Sequence, residues 1–197
     1  MNPKLKSIIS GYWWTVPLLI LVIFMFAQAF IPEKPAFENR LETRINLGIK
    51  MDTASGDFLP ITAILQGKLS AEDDQSTQHR FILLSMWATW CAPCIKELPR
   101  LSAAKERLKI AGILPLLVNY DSGDKQKVVA EISAWLVAHS VNLPTVYDFN
   151  SSLSAALDVS ALPFSLLLDR NGNILWMHMG ELQDEDLANL IGTYKNK

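Results

Sequence analysis

Residues 80–94 read RFILLSMWATWCAPC, an apolar run that leads directly into two cysteines separated by two residues. The first eight residues of this stretch are almost all apolar, which is typical of a strand buried on both faces of a sheet. A helical pattern follows from Pro93 to about Lys109, and proline is compatible with the start of a helix. This order predicts a buried strand that delivers Cys91 to the N-terminus of a helix.

The two cysteines are placed for redox chemistry. The backbone N–H groups and the dipole of a helix N-terminus favour the thiolate of Cys91. Cys94 lies one turn inside the helix and is shielded, so the pair predicts an attacking thiol and a resolving thiol. A purely structural bridge is disfavoured because it would close almost no loop and add little entropic stabilisation. A zinc site is disfavoured because the sequence offers no second Cys pair or His pair to complete four ligands.

The rest of the chain predicts an α/β domain. Further strands are expected at 44–51, 113–120, 145–148, 165–169 and 174–179, and further helices at 125–139, 151–157 and 184–194. Residues 58–65 are expected to return as a strand or a short helix. Strands that alternate with helices indicate a parallel core. The sequence RNGN at 170–173 is a hairpin signal, which adds an antiparallel edge to the sheet.

An uncharged apolar segment, residues 12–31, lies near the N-terminus. A run of about 20 apolar residues matches the thickness of a bilayer core. Lys4 and Lys6 precede it without an acid, and the positive-inside rule then keeps the N-terminus in the cytoplasm. We therefore expect a cytoplasmic leader at 1–11, one transmembrane anchor at 12–31, a linker at 32–43 and an exported α/β domain at 44–197.

The same segment has a second interpretation, which is a signal peptide cleaved after Ala29. The sequence AQA at 27–29 has the small-x-small pattern of a cleavage site. The apolar stretch before it, 13–26, fits the core of such a peptide nearly as well as a membrane span. Both interpretations export residues 32–197, so they predict the same compartment for the domain.

The composition disfavours several classes of protein. The chain has 197 residues, of which 50% are apolar, and the part after the apolar segment is long enough to bury a core without staples. Nucleic-acid binding is disfavoured because 18 Lys and Arg stand against 20 Asp and Glu, with no basic cluster. Two cysteines are too few for a disulfide-stapled mini-domain.

A family resemblance rests on two segments. The segment 87–94, followed by Glu97-Leu98-Pro99, closely resembles the WATWCxPCxxExP signature of the TlpA/ResA-like thioredoxins. The segment 162–169, LPFSLLLD, is similar to the xPxxFLIDxxG segment of the same family. The resemblance implies a thioredoxin-like α/β fold, with a central mixed β-sheet flanked by helices and an N-terminal β-hairpin extension. It also implies an exported, membrane-tethered thiol–disulfide oxidoreductase.

The resemblance further implies the roles of five residues. Cys91 is expected to be the attacking thiolate and Cys94 the resolving thiol. Trp90 is expected to shield the site and to shape the surface that meets the client, and Pro163 to be a cis proline that faces the disulfide. Glu97 is expected to be a partly buried acid that takes the proton of Cys94. The alternative for Glu97 is an exposed glutamate of the first turn, stabilised by the helix dipole.

These features together predict a disulfide reductase of a bacterial inner membrane, with its catalytic domain on the periplasmic or extracytoplasmic side. The expected partners are client proteins with a reducible disulfide, such as the haem-binding CxxC of apocytochrome c or a copper-site dithiol in an oxidase assembly protein. Exported compartments lack a thioredoxin reductase pool, so a membrane partner is expected to return electrons. The family resemblance implies that this partner is a DsbD/CcdA-like membrane protein. Neither a cofactor nor a metal ion is predicted.

Two alternative functions stay open. The same chemistry can run in reverse as a disulfide oxidase or isomerase, although the Ala-Pro interior resembles the reducing type of CxxC more than a His-containing oxidising type. A copper-binding chaperone module needs a third ligand beside two thiolates, and neither His139 nor His178 has a visible partner ligand. Phe164-Ser165 stands where many members have two threonines, which leaves the choice of client open.

Overall fold

The structure is a computed structural model that describes residues 15–30, 44–46, 48–66 and 79–197. The chain divides into two compact units, residues 1–39 and 40–197. In the first unit, helix α1 spans Thr15–Phe30 and lies within the predicted apolar segment. Among the described ranges, no helix is both long enough and apolar enough to cross a membrane. The predicted leader 1–11 and linker 32–43 lie outside the described residues.

The second unit contains a mixed β-sheet flanked by helices. Its strands are β1 (Lys50–Asp52), β2 (Phe58–Pro60), β3 (Phe81–Trp87), β4 (Ile113–Asn119), β5 (Thr145–Tyr147), β6 (Phe164–Asp169) and β7 (Ile174–Met179). Its helices are α2 (Ile61–Leu65), α3 (Ala92–Ala103), α4 (Lys105–Ile110), α5 (Lys125–Ala138), α6 (Ser152–Ala156) and α7 (Asp184–Tyr194). The order of strands in the sheet is β2-β1-β5-β4-β3-β6-β7.

The centre of the sheet is parallel and its two sides are antiparallel. β3, β4 and β5 run parallel, because helical crossovers return the chain between them. β6 and β7 form a hairpin beside β3, and Gly172 in its turn has a φ of 81°, which glycine adopts without strain. β1 and β2 form a second hairpin beside β5. The predicted mixed sheet with an N-terminal hairpin extension is confirmed.

One apolar cluster holds the cysteine-bearing helix against the sheet. All residues of β3 are buried, as the apolar run predicts. Leu83 and Trp87 of β3 share a cluster with Leu98 and Leu101 of α3, and α4, α5 and α7 add further side chains to it. Ser85 lies on the same face of β3, because side chains alternate along a strand. Each large apolar side chain buried in this way stabilises the packing by about 1.5–3 kcal/mol, so the start of α3 has a firm base.

The first predicted strand is wrong in its boundary. It was expected over 44–51, but β1 begins only at Lys50, and Arg44 forms an isolated bridge. The cause is a local turn in which the side chain of Asn46 accepts the N–H of Gly48 at 2.9 Å. An asparagine turn of this kind draws the chain out of the extended conformation.

The single helix predicted from Pro93 to about Lys109 is divided into α3 and α4. The division falls at Ala104, whose ψ of −7° lies outside the α-helical range near −42°. The apolar periodicity continues across this residue, which explains why the pattern alone predicts one helix. The start of the helix, where the cysteines lie, is not affected.

Candidate active site

The two cysteines form a disulfide at the start of α3. Cys91 is the N-cap residue of the helix, and its Sγ accepts a hydrogen bond from the N–H of Cys94 at 3.3 Å. Cys91 is 5% exposed and Cys94 is 1% exposed. In the reduced protein the same N–H and the helix dipole favour a thiolate on Cys91. Cys94 is thus the more shielded of the two cysteines, and the attacking role of Cys91 and the resolving role of Cys94 stay predictions.

Trp90 stands on the surface beside the disulfide, with 67% of its area exposed. Its indole forms part of the wall of a pocket of about 190 Å³. The pocket is lined by Met86, Trp90, Tyr120, Ser154, Val159, Ser160, Ala161 and Leu162. Most of these side chains are apolar, so the surface next to the cysteines can take an apolar side chain of a client. Trp90 therefore borders that surface, and its role in shielding the site and shaping the client surface stays a prediction.

The Leu162–Pro163 peptide bond is cis, which is the isomer predicted for Pro163. Pro163 is buried, and its carbonyl accepts the N–H of Gly180 at 2.9 Å. β6 begins directly after it, and its first residue, Phe164, pairs with Met86 near the end of β3. The cis proline and the two cysteines consequently lie at the same end of the sheet.

Glu97 lies one turn after Cys94 and is 1% exposed. Its Oε1 accepts the hydroxyl of Ser85 at 2.9 Å, and its Oε2 accepts the backbone N–H of Leu182 at 2.8 Å. The two hydrogen bonds anchor the carboxyl between β3 and the segment before α7. The expectation of a buried acid is confirmed, and the alternative of an exposed first-turn glutamate is wrong.

Burial raises the pKa of Glu97 above its ordinary value, because desolvation disfavours the charged form. The hydrogen bonds from Leu182 and Ser85 lower the pKa of this carboxyl in part. The negative charge of Glu181 raises it further and the positive charge of Arg100 opposes that rise. The net effect is a raised pKa, which brings the acid closer to the pKa of a thiol with which it would exchange a proton.

A carboxylate from the neighbouring strand holds the loop in front of the cysteines. Asp121 follows β4, and its carboxylate accepts the N–H of Thr89 at 2.9 Å and the hydroxyl of Thr89 at 2.7 Å. The side chain of Asn119 donates to the same carboxylate at 2.7 Å. Sequence analysis missed Asp121. A signal was available, because polar residues that follow adjacent parallel strands meet at one edge of the sheet, where sites are formed.

Ser85 is a second residue that sequence analysis missed. It lies inside the apolar run of β3 and is fully buried. A serine in the middle of a strand buried on both faces needs a hydrogen-bond partner, and here the partner is Glu97. The single polar residue in that run was the available signal.

Two of the histidines stack on tryptophan side chains. His139 stacks on Trp135 with ring centroids 3.9 Å apart, and His178 stacks on Trp176 at 5.7 Å. In the ranges that the structure describes, no group of three or more His, Cys, Asp or Glu is placed to hold a metal ion.

Comparison with known proteins decides the family. Residues 54–191 match the family model described as Redoxin. The chain belongs to the Redoxin family. Within it, the chain is 30% identical over 113 residues to the thiol–disulfide oxidoreductase ResA of Bacillus subtilis, a match that covers 56% of the chain and 60% of ResA. It is 27% identical over 143 residues to the thioredoxin-like protein YneN of the same organism, covering 72% of the chain and 78% of YneN.

Solved structures of other proteins show the same fold as this Redoxin-family chain. StoA of Bacillus subtilis superposes with a TM-score of 0.53 at 21% identity, over 76% of the chain and 96% of StoA. A DsbE-type thiol:disulfide interchange protein of Chlorobium tepidum superposes with a TM-score of 0.55 at 19% identity, over 75% of the chain and 92% of that protein. The predicted thioredoxin-like fold and ResA-like family are confirmed, and the names of the relatives support the predicted enzyme class.

Proposed function

We propose that this Redoxin-family protein is a thiol–disulfide oxidoreductase that reduces disulfides in client proteins. The observation that carries the proposal is the Cys91–Cys94 disulfide at the N-terminus of α3, with Cys94 shielded and a buried acid one turn behind it. This arrangement supplies a nucleophile, a resolving thiol and a proton acceptor within two helical turns.

The reaction starts from the reduced protein. The thiolate of Cys91 attacks one sulfur of the client disulfide, and a mixed disulfide forms while the other client sulfur leaves as a thiolate. Cys94 then loses its proton and attacks the Sγ of Cys91. The bond between Cys91 and the client breaks, the second client thiolate leaves, and the protein is left with its own disulfide. Two electrons have passed to the client, which has gained two thiols once protonated.

Glu97 is the group that takes the proton of Cys94. Its place on the same helical face, one turn away, is the place from which a side chain can serve the resolving thiol. Its raised pKa lets the carboxylate accept a proton and lets the acid release it again. Trp90 contacts the client, since its exposed indole stands next to Cys91. Pro163 lies at the same end of the sheet as the disulfide.

The direction of the reaction is reductive. Ala92-Pro93 between the cysteines lacks a histidine that would stabilise the reduced form and make the pair an oxidant. A reductant is used up with each turnover, so a partner must supply two electrons. A DsbD/CcdA-like membrane protein fits that requirement, and a CxxC of apocytochrome c or a copper-site dithiol fits the part of client.

Residues 12–31 anchor the protein in the inner membrane, with the domain on the extracytoplasmic side. The proposal is supported by the uncharged segment and by Lys4 and Lys6 before it. The intact mass of the protein from the membrane fraction tests the anchor. A mass equal to that of residues 1–197 supports the anchor. A mass equal to that of residues 30–197 shows that a signal peptide was cleaved after Ala29.

The oxidoreductase is tested by trapping. Cys94→Ser is expected to stop after the first step and to accumulate a mixed disulfide with insulin or another disulfide protein, visible on non-reducing gels. Cys91→Ser is expected to form none, because the shielded Cys94 does not meet the client. A Cys91→Ser variant with the full reductase activity of the wild type would refute the mechanism.

A further inference from the structure

Three polar residues lie side by side across the sheet. Ser85 of β3 is directly opposite Ser165 of β6, and Ser165 is directly opposite His178 of β7. Residues directly opposite in antiparallel strands share a face, with Cβ atoms about 4.5–5.5 Å apart. This face is the one that α3 covers, since Ser85 donates its hydrogen bond to Glu97 of α3. The row therefore begins at the buried acid.

The row leads from the interior to the surface. Ser85 and Ser165 are fully buried, while His178 is partly exposed and lies on β7, the last strand of the sheet order. The hydroxyl of Ser165 is buried and has no hydrogen-bond partner in the part of the chain that the structure describes. A buried hydroxyl in that state is costly. An alanine at position 165 would avoid the cost of burying an unpaired hydroxyl. Packing alone therefore does not explain the serine.

We propose that Ser85, Ser165 and His178 form the route by which the proton that Glu97 takes from Cys94 leaves the protein. The proposal rests on the proposed thiol–disulfide function. A hydroxyl can accept one proton and donate another at the same time. The gap between side chains on directly opposite residues is closed by a small side-chain rotation or by one bridging water. His178 is suited to the exit because an imidazole has one nitrogen that accepts a proton and one that donates, and this side chain is partly exposed to solvent.

Each step of the route conserves protons. Cys94 gives its proton to the carboxylate of Glu97. The acid then passes a proton to the oxygen of Ser85, which passes its own to Ser165. Ser165 passes its own to the imidazole of His178, and the imidazolium releases one proton to water. Both hydroxyls end with the single proton with which they began, and Glu97 is again a carboxylate.

The other charged groups near Glu97 offer a rival exit. Glu181 and Arg100 both act on its pKa. However, Arg100 donates to Glu181 at 3.1 Å and also to the carbonyl of Leu182, so the Glu181 carboxylate is already engaged. The Oε2 of Glu97 meets a backbone N–H, that of Leu182, which cannot pass a proton onward. The Oε1 of Glu97 accepts the hydroxyl of Ser85, and a hydroxyl can pass a proton onward.

The test follows sulfur chemistry and proton release at the same time. The reduced full-length protein reacts with an aromatic disulfide whose thiolate product is coloured, in weakly buffered solution with a pH indicator. Cys91 displaces the first coloured thiolate and Cys94 the second, and the indicator reports the proton that Cys94 loses. In the wild type we expect the proton to appear together with the second thiolate.

A matched pair of variants isolates the hydroxyl of Ser165. Ser165→Thr and Ser165→Val have nearly the same shape and differ in the hydroxyl alone. The Thr variant is expected to release its proton in step with the second thiolate, as the wild type does. The Val variant is expected to release it at least about tenfold more slowly than the wild type. Release in step with the second thiolate in Ser165→Val would overturn the proposal.

The exit is tested at the histidine. His178→Ala is expected to delay proton release as Ser165→Val does, and added imidazole is expected to restore it, which a purely structural defect would not allow. His139→Ala is the control, since His139 stacks on Trp135 away from the row, and it should show neither effect. A delay in Glu181→Gln with none in Ser165→Val would also overturn the proposal. If the wild type releases no coloured thiolate at all, the proposed function itself is refuted.

Discussion

Two strand-to-helix junctions of this protein have the same architecture and different chemistry. β3 leads into α3 and β4 leads into α5, both from the parallel centre of the sheet. The cap of α5 is Asp124, whose carboxylate accepts the N–H of Lys127 at 3.0 Å. The cap of α3 is Cys91, whose sulfur accepts the N–H of Cys94 at 3.3 Å. A carboxylate is among the best N-caps and a sulfur is a weak acceptor, so the start of α3 is arranged for reactivity at the expense of helix stability.

The second junction also supports the first. Asp121 lies between β4 and α5, yet its carboxylate binds the backbone and the hydroxyl of Thr89, two residues before Cys91. The loop that carries the reactive sulfur is thus held by hydrogen bonds from the neighbouring junction. The comparison predicts that changes at the α3 junction affect the reaction, whereas changes at the α5 junction affect mainly folding.

The largest effect is expected from Cys91→Ser. Serine is a favoured N-cap residue, so the helix should start as before and the free energy of unfolding of the reduced protein should fall by no more than about 1 kcal/mol. Disulfide reduction should nevertheless be lost, since an unactivated hydroxyl does not attack a disulfide. Insulin reduction and denaturant unfolding measure the two quantities. A Cys91→Ser variant that loses both its fold and its activity would contradict the prediction that residue 91 serves helix capping and disulfide reduction separately.

Glu97→Gln comes next. General acid–base catalysis contributes on the order of 10²-fold or more, so the rate of the step in which Cys94 resolves the mixed disulfide should fall by about that factor. The attack by Cys91 should be little changed. The two coloured thiolates released from an aromatic disulfide report the two steps separately. The matched control is Ala130→Gln, an exposed residue at the same distance from the cap of α5, which should change neither step.

The raised pKa of Glu97 also predicts a pH dependence of stability. Its pKa is raised above the ordinary 4.5, so the folded protein binds this proton more tightly than the unfolded chain does. The oxidised wild type should then lose stability as the pH rises from 4.5 through the raised pKa, whereas Glu97→Gln should not show this loss. Denaturant unfolding across that interval measures it. A stability difference between the two proteins that grows with pH in favour of the wild type would contradict the burial argument.

Asp121→Ala is expected to have a smaller effect on the reaction and a clear effect on stability. It removes the acceptor of three hydrogen bonds from Thr89 and Asn119. Hydrogen bonds to charged groups are worth about 1.5–3 kcal/mol each, and the loss should amount to at least one such bond because the buried side chain of Asn119 loses its acceptor. A double-mutant cycle with Thr89→Val measures the coupling. Additive effects of the two changes would show that Asp121 does not hold the loop.

The smallest effect is expected from Asp124→Ala, the cap of α5. Loss of a side-chain cap costs about 1 kcal/mol, and the rates of both thiol steps should stay as in the wild type. Thermal unfolding measures the loss of stability, and the coloured thiolates released from the aromatic disulfide report the rates of the two thiol steps. A slower reaction in Asp124→Ala would mean that the two junctions are not separable.

Sequence patterns predicted the elements that form from neighbouring residues. The apolar run of β3, the CxxC at the start of α3 and the RNGN hairpin are all local signals, and each appears in the structure as predicted. The boundary of β1 could not be predicted from alternation alone, because the hydrogen bond from Gly48 to the side chain of Asn46 competes with the strand. Local geometry of that kind overrides a weak periodicity.

The partners of the site residues could not be predicted in the same way. That Glu97 is buried came from family resemblance, but its contacts with Ser85 and Leu182 depend on how α3 lies against the sheet and where α7 begins. The pairing of Ser85 directly opposite Ser165 depends on the register between β3 and β6. Register and packing are set by the whole core, so a single segment of sequence does not contain them.

The reduction potential of the Cys91–Cys94 pair tests the central claim most directly. The full-length protein is equilibrated in dithiol–disulfide redox buffers, and the reduced fraction is measured by alkylation of the free thiols. A client reductant is predicted to lie near thioredoxin, at about −270 mV. A potential near that of DsbA, about −120 mV, would make the pair an oxidant and would contradict the account.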